Sequence, residues 1–357
     1  MTRPGTRHAA TALGVGLVVA LSVGPVSAQI PVHAPGGLLT GMVRDSATGL
    51  PVGYALVLVM GTEQRVFASE SGRFSLAGLS GGRRTIRVQQ IGYAARTLAL
   101  QLDVDGPPAG GGPGLEVTLT RRPVLLPEIV VQGDVCSGVE AIGASPEEGS
   151  ILDEAFKNAE RVLTLEKSYP YRFSYALTKV LLGNDKQELR RWTDTIRYDT
   201  RALVGYRRGK VLEGPRGPRQ TANYFSTSDL ARDQFRKSHC FWYAGRDTTR
   251  DGAPGHRIEF APVRGLATAD WAGSVIIDSA TMMVARSEAR LVNLRDKQTT
   301  FTTASCVVSY QQIVPTLVLE SQVDCVSSRS SGPAYLTLER WLMFGFRFID
   351  KSPVPAS

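Results

Sequence analysis

The 357-residue sequence contains only four histidines and four cysteines, and each scarcity excludes a class of protein. Four cysteines in a chain of this length exclude a small scaffold held together by disulfides. Four histidines leave little material for a zinc enzyme, because zinc takes its ligands largely from histidine and cysteine. Beyond the N-terminus no segment reaches about eighteen uninterrupted apolar residues, the length at which a helix spans a bilayer. We therefore expect no transmembrane helix in the mature chain, no metal and no other cofactor.

The abundant residues indicate a β-rich globular protein. Thirty-six glycines and twenty prolines favour many turns and argue against a helical bundle. With 43% hydrophobic and 21% charged residues, the composition is typical of a folded chain. The formal net charge is +8, and many of the bases lie between residues 190 and 237. This run would attract anionic lipid, lipopolysaccharide or an acidic polymer, unless it is only the solvated face of strands and loops.

The first 28 residues are typical of a secretory signal peptide. Arg3 and Arg7 form a basic start, residues 12–23 are apolar, and Val26-Ser27-Ala28 supplies the small residues that signal peptidase requires. We expect cleavage before Gln29, which leaves 39 bases against 33 acids and a net charge of +6. A retained N-terminal anchor is the alternative. The protein would then lie in the periplasm or at the outer membrane, where nucleic acid is not an expected partner.

After a short leader at 29–37, residues 38–121 form short β-like runs separated by turn residues. Strands such as 73–76 and 85–88 alternate polar and apolar residues, and clusters such as 45–49 and 70–72 interrupt them. Regular short strands with turns every eight to twelve positions predict an antiparallel β-sandwich of about 80 residues.

Glycine, proline and aromatic residues recur at fixed spacings in this segment. The motifs are Gly41-x-Val43-x-Asp45, Thr48-Gly49-x-Pro51, Ala55-x-Val57, Gly61-Thr62, Ser71-Gly72-x-Phe74-x-Leu76, Leu79-x-Gly81-Gly82 and Ile91-Gly92-Tyr93. This pattern resembles the carboxypeptidase regulatory-like domain and covers about a quarter of the chain. The resemblance implies a transthyretin-like, carbohydrate-binding-like sandwich that serves as a structural or binding appendage.

One segment matches part of a zinc carboxypeptidase site by its letters. Those enzymes bind zinc through His-x-x-Glu and a further histidine downstream, and residues 256–259 fit the first element. No histidine follows His256, and the alternation of the segment predicts a strand with His256 and Glu259 on opposite faces. We therefore predict no catalytic residues and no enzyme. An exported hydrolase with an unrecognised site is the alternative, for which His239 beside Cys240 offers a weak nucleophile pair.

Residues 122–149 form the expected linker between two domains. Within it, Leu126-Pro127-Glu128-Ile129-Val130-Val131-Gln132-Gly133 is similar to the TonB-box-like stretch that follows such sandwiches in TonB-dependent outer-membrane receptors. The similarity implies a partner strand of Glu128, Ile129, Val130 and Val131 that pairs with the edge of a partner sheet, and an accessory role beside an outer-membrane protein. The roughly 200 residues that follow are too few for the plug and barrel of those receptors, so an ordinary last strand or a relic is the alternative.

Residues 150–350 are expected to form a second, β-rich domain, followed by a tail at 351–357. Apolar residues at helical spacing predict an amphipathic helix over 150–167, namely Ile151, Leu152, Ala155, Phe156, Ala159, Val162 and Leu163. Eight or more strand-like runs follow Tyr169-Pro170. The fold class is therefore mainly β, with a transthyretin-like sandwich, then a helix, then a large curved antiparallel sheet or open barrel.

One hairpin of this second domain is similar to a recurrent hairpin in periplasmic lipoprotein-carrier-like half-barrels. Residues 271–278 end in an aspartate and turn into a strand at 283–294. The similarity implies a concave apolar face that holds an acyl chain or a hydrophobic segment of another protein. We expect this groove to be lined by Phe241, Trp242, Trp271, Trp341 and Phe344. Alternatively, these aromatic residues only fill the core.

Export to an oxidising compartment permits disulfides. Cys306 and Cys325 lie on neighbouring predicted strands on either side of Pro315, with a register that is off by about one residue. Cys136 and Cys240 would form the second bridge, although four cysteines allow three connectivities. These patterns together predict a non-catalytic exported envelope protein that binds a polymer, a lipid or a protein partner through its β domains.

Overall fold

The structure is a computed structural model that describes residues 30–33, 37–103, 114–121, 151–217, 219–295, 299–330 and 336–353. The expected signal peptide, the partner strand at 128–131 and Cys136 lie outside these residues, and so do residues 122–150 as a whole.

The N-terminal strands form a β-sandwich. Their bounds are Ile30–His33 (β1), Leu39–Asp45 (β2), Leu56–Val59 (β3), Arg65–Phe67 (β4), Arg73–Leu76 (β5), Gly82–Gln89 (β6), Arg96–Asp103 (β7) and Leu115–Leu119 (β8). One sheet has the order β1-β7-β6-β3-β4 and the other β5-β2-β8. The pairs β1–β7 and β2–β8 are parallel, and the others are antiparallel. The core between the sheets includes Val43, Val57, Phe74, Ile86 and Val117.

The motif residues of this sandwich form its turns. Asp45 is buried, and its carboxylate accepts hydrogen bonds from the backbone amides of Ala47 and Thr48 and from Tyr93 and Arg121. The Thr48 and Ala47 amides, with Arg121, hold the pKa of Asp45 well below its usual range. Gly72 has a φ of +73°, and a Cβ there would lie 2.5 Å from the Val43 carbonyl oxygen, so only glycine fits.

A helix and a nine-stranded sheet follow. The helix α1 spans Ile151–Ser168, and a second, short helix α2 spans Asp233–Ser238. The strands are Tyr171–Leu182 (β9), Glu188–Asp199 (β10), Leu212–Glu213 (β11), Thr221–Ala222 (β12), His239–Thr248 (β13), Pro254–Pro262 (β14), Asp270–Asp278 (β15), Val284–Val292 (β16), Phe301–Val314 (β17), Leu317–Arg329 (β18) and Leu336–Phe348 (β19). The large sheet is antiparallel and open, in the order β10-β9-β19-β18-β17-β16-β15-β14-β13, while β11 and β12 form a separate hairpin. The expected mainly-β architecture is confirmed. Among the described residues, no helix is long and apolar enough to cross a membrane.

The two halves of the large sheet pack differently. On the half formed by β13 to β16, a filled core of Phe241, Phe260 and Val275 packs against Ile151 and Ala155 of α1. On β9 the side chains alternate, so that Tyr171, Phe173, Tyr175 and Leu177 are buried while their neighbours are less so. We call the face that carries these residues the inner face of the sheet, and the opposite face the outer face.

The polar side of α1 is buried instead of solvated. Three turns present backbone carbonyl oxygens to this side of the helix. Each has a central residue with positive φ, namely Tyr54 (58°), Met282 (56°) and Thr316 (59°). Arg161 donates from Nη1 to the Tyr54 oxygen at 2.9 Å and from Nε to the Thr316 oxygen at 2.8 Å. Asn158 donates from Nδ2 to the Met282 oxygen at 2.9 Å. The helix therefore joins a sandwich turn to two hairpin turns of the large sheet.

A group of buried charges near the start of α1 adds to this junction. Lys157 is 1% exposed. Its ammonium donates to the Tyr93 carbonyl oxygen at 2.7 Å and pairs with the carboxylates of Glu154 at 2.8 Å and Asp153 at 2.9 Å. Arg87 of the sandwich donates to Asp153 at 3.2 Å. Buried charges in such numbers are tolerated only when they pair with one another, as these do.

The Cys306–Cys325 disulfide is present. The two cysteines lie directly opposite each other on β17 and β18, so the expected one-residue offset was wrong. The turn is centred between Pro315 and Thr316, which places Cys306 opposite Cys325. Two register shifts lie between the turn and the disulfide, and they cancel, so this pairing is kept. Cys240 is also disulfide-bonded, but Cys136 lies outside the described residues, so the second bridge stays a prediction.

Candidate functional site

A cavity of about 720 Å³ lies against the inner face of the large sheet. Its sheet wall comes from β9, β10, β17, β18 and β19, and Val162 and Glu166 of α1 contribute to it. Trp271 of β15 and Arg232 also line it, and most of the remaining wall is formed by residues within 203–211 and 221–229, which we call the cover segments. The cavity therefore takes the place of a filled core on the half of the sheet formed by β9, β10 and β17 to β19.

The sheet wall of the cavity is mostly apolar and aromatic. Phe173 stacks on Tyr198 with ring centroids 5.2 Å apart, and Tyr175 meets Trp341 edge to face at 5.9 Å. The Cys306–Cys325 disulfide also contributes to the lining, together with Leu177, Val318, Leu319 and Met343. Walls of this kind, with a few polar groups, are typical of sites that bind small apolar molecules.

The structure brings together two of the five residues expected in the groove. Trp271 and Trp341 line the cavity. Phe241 lies in the filled core, edge to face with Phe156 at 5.4 Å. Trp242 lies between two buried neighbours on β13 and therefore faces outward, and Phe344 is 49% exposed on the outer face of β19. Phe173, Tyr175 and Tyr198 line the cavity but were not among the predicted residues, although the alternation of β9 marks the first two.

Glu320 of β18 is a polar group in this apolar wall. Its carboxylate accepts hydrogen bonds from the Tyr224 hydroxyl at 3.1 Å, from the Ser226 hydroxyl at 2.9 Å and from the backbone amide of Thr227. Burial raises the pKa of Glu320 to about 7, because desolvation outweighs these three donors. The carboxyl group is therefore close to balanced between its neutral and charged forms at neutral pH.

Two further acids lie nearby and share one base. Glu166 of α1 and Asp229 both bind the Arg232 guanidinium, each at 3.1 Å. Burial raises the pKa of Glu166 to about 7, and burial also raises the pKa of Asp229. Asp229 additionally accepts from the backbone amides of Tyr206 and Ser226, so it anchors both cover segments.

The raised pKa of Glu320 predicts a stability that falls as pH rises from about 4.5 to about 7. Below this window the carboxyl is protonated in both the folded and the unfolded chain. Above it the folded state bears the cost of a desolvated charge, about 3 kcal/mol for a shift of this size. We expect Glu320→Gln to remove that cost, so the variant gains this amount relative to wild type between pH 4.5 and pH 8.

Denaturant unfolding of both proteins at the two pH values measures the gain. Glu339→Gln is the matched control, because Glu339 lines the same cavity but pairs with Lys179 at 2.5 Å. The control should show no comparable gain. A Glu320→Gln effect that is equal at pH 4.5 and pH 8 would contradict the prediction.

The residues considered for catalysis do not converge. His256 contacts the Tyr243 hydroxyl at 3.2 Å on the inner face, whereas Glu259 binds Arg257 on the outer face. His239 is buried, and its two ring nitrogens contact the carbonyl oxygens of Phe235 and Trp271, each at 3.0 Å.

Residues 78–82 match the letters Gly-x-Ser-x-Gly of a nucleophile elbow, but they join two strands of the sandwich, whereas the elbow requires a strand-to-helix turn. Within the described ranges, no group of three His, Cys, Asp or Glu residues could hold a metal ion.

Comparison with known proteins finds a family match for part of the sequence and several similar solved structures, two of which are described below. Residues 39–120 match the family model of the carboxypeptidase regulatory-like domain. No curated protein sequence matches the chain significantly. The chain is similar to a DUF1329 family protein from Desulfovibrio piger, with 11% identity over 56% of this chain and 95% of that one, and a TM-score of 0.33. It is also similar to a protein of unknown function from Bacteroides fragilis, described as membrane-associated, with 10% identity over 89% of this chain and 100% of that one, and a TM-score of 0.18.

The family match and the structure agree on the N-terminal part of the chain. The matched range runs from the first residue of β2 to the residue after β8. It includes the buried Asp45 and the obligatory turn at Gly72. Residues 39–120 therefore match the carboxypeptidase regulatory-like domain in sequence and fold as a β-sandwich.

Proposed function

We propose that the protein is an exported, non-catalytic envelope protein whose C-terminal domain binds an apolar or amphiphilic molecule, such as the acyl chain of a lipid. The cavity against β9, β10 and β17 to β19 carries this proposal. Its volume of about 720 Å³ lies within the range of 300–1,000 Å³ in which small-molecule sites usually fall. The signal-like N-terminal sequence supports export, and the Cys306–Cys325 disulfide is typical of an oxidising compartment.

The energetics favour an alkyl ligand in such a cavity. Each methylene group removed from water contributes about 0.8 kcal/mol, so a ten-carbon chain gains about 8 kcal/mol before the cost of ordering it. The aromatic side chains that would contact it are already held by ring contacts, such as those of Tyr175 with Tyr198 and with Trp341. A wall that is ordered in advance reduces the entropy lost on binding.

Native mass spectrometry of the protein purified from the envelope of a diderm host tests the proposal. We expect a population heavier than the processed chain by the mass of a lipid-like molecule, which is released when the protein is denatured in organic solvent. A protein that carries only the mass of its processed chain, and that stays so after incubation with lipid extract, would contradict the proposal.

A further inference from the structure

Glu320 differs from the other acids of the cavity because it has no base within ion-pair distance among the described residues. Glu166 and Asp229 share Arg232, and Glu339 pairs with Lys179. Glu320 has only neutral donors, namely the Tyr224 and Ser226 hydroxyls and the Thr227 amide. A carboxylate accepts about four hydrogen bonds, so one acceptor position is left after these three.

The surroundings of Glu320 are suited to a cation. Tyr175, Tyr224 and Tyr310 line the same part of the cavity. The Tyr310 hydroxyl contacts Thr227 and Ser287, which fixes its ring beside the carboxylate. The faces of aromatic rings attract cations, and a desolvated carboxylate without a counter-charge is costly. A cationic ligand group in contact with these rings and the carboxylate would therefore relieve the cost of this half-buried charge, which has no counter-charge among the described residues.

We infer that the cavity takes an amphiphile with an amino head group, whose ammonium binds the Glu320 carboxylate while its alkyl chain lies along Tyr175, Tyr198 and Trp341. The inference rests on the proposed function, because it assigns the head-group chemistry of the same cavity. An alkyl carboxylate would place like charges together at Glu320. An alcohol would fill the open acceptor position but would supply no counter-charge.

Three probes with the same ten-carbon chain test this assignment. Decylamine, decanol and decanoate are titrated calorimetrically below their micelle-forming concentrations at pH 8, where Glu320 is mostly ionised. We expect decylamine to bind at least about tenfold more tightly than the other two probes, because only its ammonium forms a hydrogen bond between opposite charges with the Glu320 carboxylate. Glu320→Gln should weaken decylamine by about tenfold and change decanol by less than about twofold. Glu259→Gln is the matched control, because Glu259 pairs with Arg257 on the outer face of the sheet and does not line the cavity, and it should keep the preference for the amine.

The outcomes distinguish an error in the head-group assignment from a failure of the proposed function. If decanol or decanoate binds as tightly as decylamine, or if Glu320→Gln keeps the preference, the head-group assignment is wrong and the apolar site stands. If none of the three probes binds the wild-type protein, the proposed function fails, and the assignment fails with it. Circular dichroism of each variant shows whether the fold is retained, and a Glu320→Asp variant, which keeps the charge, should retain the preference for the amine.

Discussion

Replacing Arg161 with methionine is expected to lower the free energy of unfolding by about 3–5 kcal/mol. The Arg161 side chain is 2% exposed. Its guanidinium donates to the carbonyl oxygens of Tyr54 and Thr316, to the Thr316 hydroxyl at 2.5 Å and to the Gln90 side chain at 3.0 Å. Methionine has a similar volume but no donors, so these buried acceptors would lose their partners.

Chemical denaturation followed by circular dichroism measures this loss. Lys167→Met is the matched control, since Lys167 lies on the same helix and pairs with Glu63 of the sandwich, but is 42% exposed. An exposed ion pair contributes less than about 1 kcal/mol, so the control should change stability little. Equal effects of the two substitutions would show that the Arg161 contacts do not hold the sandwich, the helix and the β17–β18 hairpin together.

Filling the cavity with Ala304→Trp is expected to weaken the binding of an apolar fluorescent reporter by more than about tenfold. Ala304 is 8% exposed on the inner face of β17 and lines the cavity. An indole at this position would occupy space that the ligand needs, while the cavity gives it room without forcing the sheet apart. Titration of the reporter against wild type and variant gives the two dissociation constants.

Ala176→Trp is the control for this substitution. Ala176 lies on the outer face of β9, where its side chain is exposed, so the same change leaves the cavity untouched. The control should bind the reporter within about twofold of wild type. Loss of binding in Ala176→Trp, or normal binding in Ala304→Trp, would place the apolar site elsewhere on the protein.

The helix α1 shows how far periodicity can predict a structure. The spacing of Ile151, Ala155 and Ala159 correctly predicted a helix with one apolar side. The same pattern could not show that the polar side is buried. The partners of Arg161 are 107 and 155 residues away in sequence, and such contacts leave no local signal.

The aromatic groove shows a different limit. The type of a residue predicts that an aromatic groove exists, but the face of the strand on which each aromatic residue lies decides whether that residue reaches the groove. Trp242 is flanked by Phe241 and Tyr243, so strand alternation alone places it opposite those buried rings. Alternation likewise marks Phe173 and Tyr175 on β9. The cavity itself depends on which half of the sheet α1 and α2 fill, and that is a property of the packed structure.

The site of ligand binding can be measured through the four tryptophans of the chain. Trp192, Trp271 and Trp341 line the cavity, whereas Trp242 faces outward from β13. Variants that each keep one tryptophan, with the other three changed to phenylalanine, can be titrated with a terminally brominated alkyl alcohol, whose heavy atom quenches fluorescence on contact. We expect saturable quenching of the variant that keeps Trp341 and none in the variant that keeps Trp242. Quenching of Trp242 alone, or of neither, would contradict a ligand site on the inner face of the sheet.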